Sequence, residues 1–344
     1  IQGLVRRVLY PADPSDVPPI DQYDLILVDE CHRGYLLDRE MSDAELGFRS
    51  QSDYISKYRR VLEHFDAVKI GLTATPALHT TQIFGEPVFR YSYREAVVDG
   101  WLIDHEPPIR IETKLSEEGI RWQQGEEVEL LDTTTGRVDL AHTPDELAFE
   151  VGEFNRKVIT EDFVRVVAEE LTKHIDPSLD GKTLVFAVSD AHADMVVYAL
   201  KQAFAPFGIE DRSIRKITGS VDDPNKQRLA FRNDADPKIA VTVDLLTTGV
   251  DVPKIVNLVF LRRVNSRILY EQMLGRATRR CDEIGKEAFR VFDAVDLYAN
   301  LQNLTEMRPV AADPKITATQ LVEELATAEG DDARDQIREQ LIVK

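Results

Sequence analysis

The sequence predicts an α/β protein with two parallel-sheet domains, and three observations carry that expectation. Short, largely apolar runs recur at 25–28, 67–72, 183–188, 239–243 and 255–261, and the first is unbroken. Such runs are how strands buried on both faces look in a parallel sheet. Stretches of helical spacing alternate with them, which is the order of βαβ units. The chain has 344 residues and 43% hydrophobic content, enough for two ordinary domains with real cores.

Taken in order, a Pro- and Asp-rich loop at 11–19 precedes the run at 25–28. Helical spacing follows in Tyr54, Tyr58, Val61, Leu62 and Phe65, then the strand at 67–72, which ends in Thr73-Ala74-Thr75-Pro76. Pro107-Pro108 breaks the pattern. Residues 106–155 are irregular, with alternation at 109–113 and an acidic, Thr- and Gly-rich stretch at 126–136; they read as a connector with some strand content. Thr160 is placed to cap a helix whose stripe is Phe163, Val166, Val167 and Leu171. Ser189 or Asp190 caps the next, with Val196, Ala199, Leu200 and Ala203 on its stripe. Beyond about Asp293 the chain turns helical and acidic. The expected organisation is a first domain at 1–105, a connector at 106–155, a second domain at 156–300 and a helical segment at 301–344.

Composition excludes several classes. The formal net charge is −19, so any nucleic-acid contact is local, in basic patches on an acidic body. The two cysteines, Cys31 and Cys281, have no metal-like spacing; a reducing cytoplasm fits and a zinc site does not. No apolar run approaches membrane-spanning length. The chain opens at Ile1, and its first residues read as the middle of a domain.

Four constellations carry chemistry. The run at 25–28 leads directly into Asp29-Glu30-Cys31-His32. Open α/β sheets bind ligands beyond the carboxyl ends of their strands. There Asp29 can hold a Mg²⁺ that bridges nucleotide phosphates, and Glu30 can polarise an attacking water. This is a Walker B strand in its DECH form. His32 is placed to couple Glu30 to Gln272, although a lone His is equally a packed core residue. Second, the hydroxyls of Thr73 and Thr75 can bond neighbouring carboxylates or imidazoles and link a hydrolysis site to its surroundings; alone, they make a common turn. Third, if residues 266–280 are helical, Gln272, Arg276 and Arg279 share one face. An amide and two guanidiniums on one face suit a polyphosphate whose charge grows in the transition state. The plainer reading is a basic solvated face or a DNA-backbone patch, to which Arg262, Arg263, Arg267 and Arg280 can belong. Fourth, Thr242 at a strand end can bind a nucleic-acid phosphate, Gly249 permits a tight turn, and Asp251 can accept from a ribose or a neighbouring Arg. Thr218-Gly219 is a weaker backbone contact.

In this order the motifs resemble those of the superfamily-two helicases and translocases. Val28 to His32 is similar to motif II and Thr73-Ala74-Thr75 to motif III. Leu184-Val185-Phe186 is similar to motif IV, Thr248-Gly249-Val250-Asp251 to motif V, and Gln272 to Arg279 (QxxGRxxR) to motif VI. Tyr58 to Ala67, Ile83-Phe84-Gly85 and Tyr93 to Gly100 extend the likeness to the motor of type I restriction enzymes, the R subunit, over roughly residues 1–300. The resemblance implies two RecA-like lobes with ATP between them and double-stranded DNA across their top. Asp29 then holds Mg²⁺, and Glu30 activates water. Gln272, Arg276 and Arg279 reach the γ-phosphate, and Gly249 and Asp251 face the nucleotide. Thr218, Gly219, Thr242 and Thr248 meet DNA. Its partners are duplex DNA and the methylation and specificity subunits, in the cytoplasm and with no membrane.

One departure stands out. No GxxxxGK[ST] phosphate loop occurs in the chain, nor does the family's carboxylate-Lys nuclease site. Both are expected upstream of Ile1, which leaves the first sheet incomplete and the isolated chain inactive. Another DECH-type motor, such as a type III restriction subunit or a repair helicase, is the alternative. So is a non-catalytic DNA- or partner-binding module. The stretch from Phe65 to Gly100 argues against the former, and the retained Glu30, Gln272, Arg276 and Arg279 against the latter.

Overall fold

The computed structural model describes residues 2–31, 59–74, 78–111, 120–122, 127–131, 138–142, 147–149, 161–243, 251–264, 267–302 and 305–309, and helical positions 322, 325, 326, 334, 337, 338 and 341. The chain divides into two compact units, residues 1–91 with 266–272, and residues 92–265 with 273–344. Among the described residues no helix is long and apolar enough to cross a membrane.

The first unit opens with helix α1 (Gln2–Leu9) and is built on a parallel pair of strands, β1 (Leu25–Val28) and β2 (Val68–Gly71). Residues 59–64 are helical, inside the segment whose spacing predicts a helix. Val61, Leu62 and Phe65 are buried, with the Phe65 ring edge-on to Tyr23. Position 71 requires glycine, because a Cβ there would lie 2.9 Å from Cys31 Sγ and 3.0 Å from the Phe84 ring at the end of α2 (Leu78–Phe84). The expectation that these strands are buried on both faces is corrected. Leu27 and Val68 are 61% and 64% exposed, and Leu25, Ile70 and Leu72 share that open face. Two strands cover each other's edges but not each other's faces, so alternate residues stay in water.

The second unit holds a six-stranded, all-parallel sheet in the order β3-β12-β11-β8-β10-β9. Its strands are β3 (Ile109–Arg110), β8 (Lys182–Phe186), β9 (Ile214–Lys216), β10 (Ile239–Thr242), β11 (Ile255–Phe260) and β12 (Arg290–Asp293). Here the two-sided burial expected of these apolar runs is met: Leu184, Val185, Phe186, Ala240, Val241, Leu258, Val259 and Phe260 are all inaccessible. The Phe186 and Phe260 rings stack at 5.4 Å. Helix α3 (Tyr93–Val98) starts at a capping box between Ser92 and Glu95. Helices α4 (Glu161–Leu171) and α5 (Asp190–Phe204) pack on each other, and α5 lies on β9 and β10. Ser189 is the N-cap of α5, accepting from the His192 N–H. On α4 the buried stripe runs through Val164, while Val166 points to solvent; Thr160 lies outside the described residues. Helix α6 (Pro224–Asn233) precedes β10, and a short helix spans Leu297–Leu301.

The division falls at 91/92 rather than at 105. Residues 92–111 are tied to the second unit. Ile103 N–H donates to Thr278 O, Glu106 N–H to Phe289 O and Ile111 N–H to Asp293 O, and β3 extends the sheet beside β12. Within the expected connector, β4 (Ile120–Trp122) pairs antiparallel with β7 (Leu147–Phe149), and β5 (Glu127–Leu131) with β6 (Val138–His142). Both pairs follow one register, from Ile120 opposite Phe149 to Leu131 opposite Val138.

Candidate functional site

The acidic pair sits where β1 ends. The chain leaves Val28 into a turn, and Cys31 N–H then bonds Leu72 O at 2.9 Å, tying the turn to the exit of β2. Asp29 is exposed, and its Oδ1 accepts the Glu30 N–H at 2.8 Å. Glu30 is half-buried, with φ at +49°, the left-handed region that a residue with a Cβ avoids. Holding it there costs on the order of 1–3 kcal/mol, and such strain persists only where surrounding contacts impose it. The backbone bond of Cys31 to Leu72 is one such contact. The result turns Glu30 out of line with the strand beside an anchored Asp29. Cys31 is buried, and burial, with the charges of Glu30 and Asp29 added, pushes its thiol up. A protonated thiol is a poor nucleophile, so Cys31 is a packing residue. Thr73 is half-buried just past β2. His32 and Thr75 lie outside the described residues.

The arginine segment departs from expectation. A single helical face for Gln272, Arg276 and Arg279 is corrected. Helix α7 (Arg267–Leu274) stops before Gly275. Arg276 N–H then bonds Met273 O and Ala277 N–H bonds Leu274 O, the tight turns in which helices end. Arg279 is extended, in an antiparallel bridge with Leu102. Two forces end the helix. Gly275 is a weak helix former, and residues 102–103 offer the chain a backbone partner that a helix cannot use. Gln272 is therefore helical, Arg276 sits half-buried in a turn, and Arg279 projects, exposed, from an extended segment. Asp251 lies 3.5 Å from the Arg279 guanidinium, one of the two partners expected for it. Both are about half exposed, so the pair orients Arg279 more than it stabilises the fold. Gly249 and Thr248 lie outside the described residues.

The other arginines of this region are committed internally. Arg262 donates to Val243 O, Arg263 to Val295 O, Arg267 to both oxygens of Glu271, and Arg280 to Gly100 O and Asp282. Arg262, Arg263 and Arg280 fasten loops and Arg267 pairs within its own helix, so they do not form a free basic face.

The DNA-contact expectations fare unevenly. Thr242 is fully buried at the end of β10. Thr218 is buried too, and its hydroxyl donates to Asp190 Oδ1 at 2.5 Å. Neither side chain, as folded, offers a donor to a phosphate. Gly219 is exposed with open space around it. A cluster with no signature in the sequence motifs engages Thr218. Asp190, the first residue of α5, also accepts from Ser220 and from Lys216, which in turn reaches Asp194. Burial raises the Asp190 carboxyl, but the bonds from Lys216, Ser220 and Thr218 outweigh it and hold the group at about 2. These residues are far apart in sequence, and no spacing pattern joins them. Among the described residues, no three His, Cys, Asp or Glu side chains form a ready metal cage.

Two family descriptions match the chain: "Type III restriction enzyme, res subunit" over residues 9–78, and "Helicase conserved C-terminal domain" over residues 166–281. The first covers the acidic pair and the second ends on the arginine segment. The chain is 52% identical over 96% of its length to the type I restriction enzyme EcoKI endonuclease subunit of Escherichia coli K12. The chain belongs to the R subunits of type I restriction enzymes. It is 30% identical over 81% of its length to a second such R subunit, that of EcoAI from Escherichia coli. It spans 28% and 33% of the lengths of these two proteins. Among solved structures, a fragment described as an HsdR subunit from Vibrio vulnificus YJ016 matches with a TM-score of 0.58 and 26% identity, over 85% of this chain and 47% of that one. The DNA-bound type ISP restriction-modification enzyme LlaBIII shares the fold, with a TM-score of 0.52 and 16% identity, over 99% of this chain and 24% of that one. This R-subunit chain thus has the α/β, parallel-sheet architecture of the helicase-type motors.

Proposed function

We propose that this chain is the motor region of a type I restriction R subunit, where ATP hydrolysis drives translocation of double-stranded DNA before cleavage. The observation that carries the proposal is the acidic pair at the end of β1, followed in order by the arginine segment after α7. It is supported by the identity to the EcoKI endonuclease subunit over 96% of the chain.

Asp29 fits a Mg²⁺ ligand: it is an exposed carboxylate at a strand end, with one oxygen anchored by a backbone N–H. A Mg²⁺ held there would neutralise charge on the nucleotide phosphates. Glu30, turned out of line by its backbone, takes the proton of the attacking water. Arg276 and Arg279 place cationic charge against the phosphoryl oxygens, and Gln272 orients the water or the γ-phosphate. Gly249 and Asp251 complete the nucleotide contacts, with Asp251 also aiming Arg279. His32, Thr73 and Thr75 couple hydrolysis to movement. Gly219 and Thr248 are the DNA contacts retained from the sequence reading. The methylation and specificity subunits are the proposed protein partners. The 344 residues alone, without a phosphate loop, are expected to show background ATPase activity.

The test is Glu30→Gln in the full-length subunit. Removing a general base costs about 10²–10⁴-fold in rate and spares ground-state contacts. DNA-stimulated ATP turnover is expected to fall by that factor with ATP affinity within about twofold of wild type. Parallel collapse of affinity and rate would assign Glu30 a structural role and remove the main support for the proposal.

A further inference from the structure

The second unit contains a buried cation that none of the motifs includes. Lys286 is 7% exposed, and its Nζ donates to three backbone carbonyls: Ala277 at 2.7 Å, Arg279 at 2.9 Å and Pro253 at 3.0 Å. An ammonium has three N–H groups, so the match is complete. Two acceptors belong to the turn and extended stretch that carry Arg276 and Arg279. The third lies two residues beyond Asp251, the partner of the Arg279 guanidinium. The lysine reaches this position because the chain folds back on itself. Residues Asp282–Ile284 form a tight helical turn, Gly285 adopts φ +59°, and Lys286 N–H bonds Cys281 O. Opposite, Leu102 and Ile103 hold Arg279 and Thr278 through backbone pairing.

We propose that Lys286 is a positioning residue for ATP hydrolysis, clamping the carbonyls of the Arg276–Arg279 segment to Pro253 so that Arg276, Arg279 and Asp251 keep one arrangement. The inference rests on the reading of Arg276 and Arg279 as phosphate-facing groups. The need for a clamp follows from the end of α7. Once the chain leaves the helix, no ladder of i→i−4 bonds fixes the arginines. A charged donor satisfying three carbonyls replaces it, and charge-assisted bonds are the stronger ones. Lys286 joins the arginine stretch to the Asp251 stretch, the two halves of one ion pair. Burial pushes this ammonium down to about 8, against the smaller upward pull of the Cys281 and Asp251 groups that face it. A neutral amine has two N–H groups for three carbonyls, so the clamp weakens above that pH.

The experiment compares Lys286→Met, Lys286→Arg, Arg279→Ala and the Lys286→Met/Arg279→Ala double variant in the full-length subunit. DNA-stimulated ATPase activity is measured across pH 7 to 9.5, with folding checked by circular dichroism. For folded Lys286→Met, kcat is expected to fall about 10- to 100-fold, as misplacement of catalytic groups does, with the ATP KM changed less than threefold. The double variant is expected to be much faster than the product of the two single losses predicts, because both act on one element. Lys286→Arg keeps the charge at all these pH values and is expected to recover part of the rate and lose the wild type's decline above about pH 8. A folded Lys286→Met with wild-type kcat, or losses that multiply, would overturn the inference. If Lys286→Met does not fold, the wild type decides: kcat falling above about pH 8 at constant KM supports the clamp, and a flat profile to pH 9.5 overturns it. Should Arg279→Ala itself turn over normally, the phosphate-facing reading fails, whereas a slow Arg279→Ala beside a normal Lys286→Met removes only the role of Lys286.

Discussion

The apolar strand β1, Leu-Ile-Leu-Val, and the Leu-Val-Phe end of β8 (Lys-Thr-Leu-Val-Phe) are alike in residue type, yet they meet opposite environments. Every residue of β8 is buried, with β10 on one side and β11 on the other. β1 has β2 as its partner among the described residues, and Leu25 and Leu27 lie open to solvent. An apolar run therefore states what a strand requires, and neighbouring elements decide whether it gets it. Full burial of a Val, Leu or Phe side chain contributes about 1.5–3 kcal/mol. The second sheet collects that at nearly every position of its central strands, while β1 and β2 forgo it on one face. The two units are thus expected to differ sharply in how they answer to mutation and pH.

The largest expected difference is in the core. Phe260→Ala removes a fully buried ring stacked on Phe186 and is expected to destabilise the second unit by about 3–5 kcal/mol in denaturant unfolding. A cost below about 1 kcal/mol would mean that the sheet is not packed as described.

Next comes acid. His192 is completely buried; its Nδ1 accepts the Val188 N–H, and burial holds it down to about 3. Its folded value lies below its unfolded value, so the stability it permits is full above about pH 6.5 and is lost as pH falls toward 3. Asp190, held near 2 by its three donors, acts in a lower window: its contribution is present above about pH 4 and lost toward pH 2. Thermal melts of wild type are therefore expected to lose stability already between pH 6.5 and 4, and His192→Leu is expected to flatten that interval. An unchanged slope in the variant would assign the acid loss elsewhere.

A smaller effect is expected at Thr218. Thr218→Val removes the hydroxyl bond to Asp190 and is expected to cost about 0.5–1.5 kcal/mol. Duplex affinity and its salt dependence should hold, because that hydroxyl is already engaged. Weakened DNA binding at unchanged stability would restore Thr218 as a phosphate contact.

The smallest effect belongs to the open face of β1. Leu27→Ala in the 344-residue chain is expected to change stability by less than about 0.5 kcal/mol, as exposed positions do. Repeating the measurement in the full-length subunit sharpens the contrast between the units. A cost of about 2–5 kcal/mol there would show that another part of the protein covers this face.

Much of this was legible in local pattern. The strands at 25–28, 68–71, 182–186, 239–242 and 255–260 lie within a residue or two of the expected apolar runs, because strand formation there follows from contiguous apolar residues. Ser189 caps its helix as its hydroxyl and position imply. The acidic pair falls at a strand end, directly after the apolar run at 25–28 that forms β1. The arginine segment was legible in composition but not in shape. Its spacing suits a helix, yet Gly275 and the pairing of Leu102 with Arg279 end the helix between Gln272 and Arg276.

By itself, then, the sequence determined the α/β class, the main apolar strands, the acidic pair and arginine segment, and, through the stretches between 58 and 100, the likeness to the R-subunit family. Only the tertiary structure decided that β1 has an open face, that residues 92–111 join the second unit, that Thr218 is engaged by Asp190, and that Lys286 clamps the arginine segment. The physical reason is range. Periodicity and capping act within a few residues and can be read along the chain. Burial and hydrogen bonding join Arg280 to Gly100 and Lys286 to Pro253 across stretches that no local pattern spans.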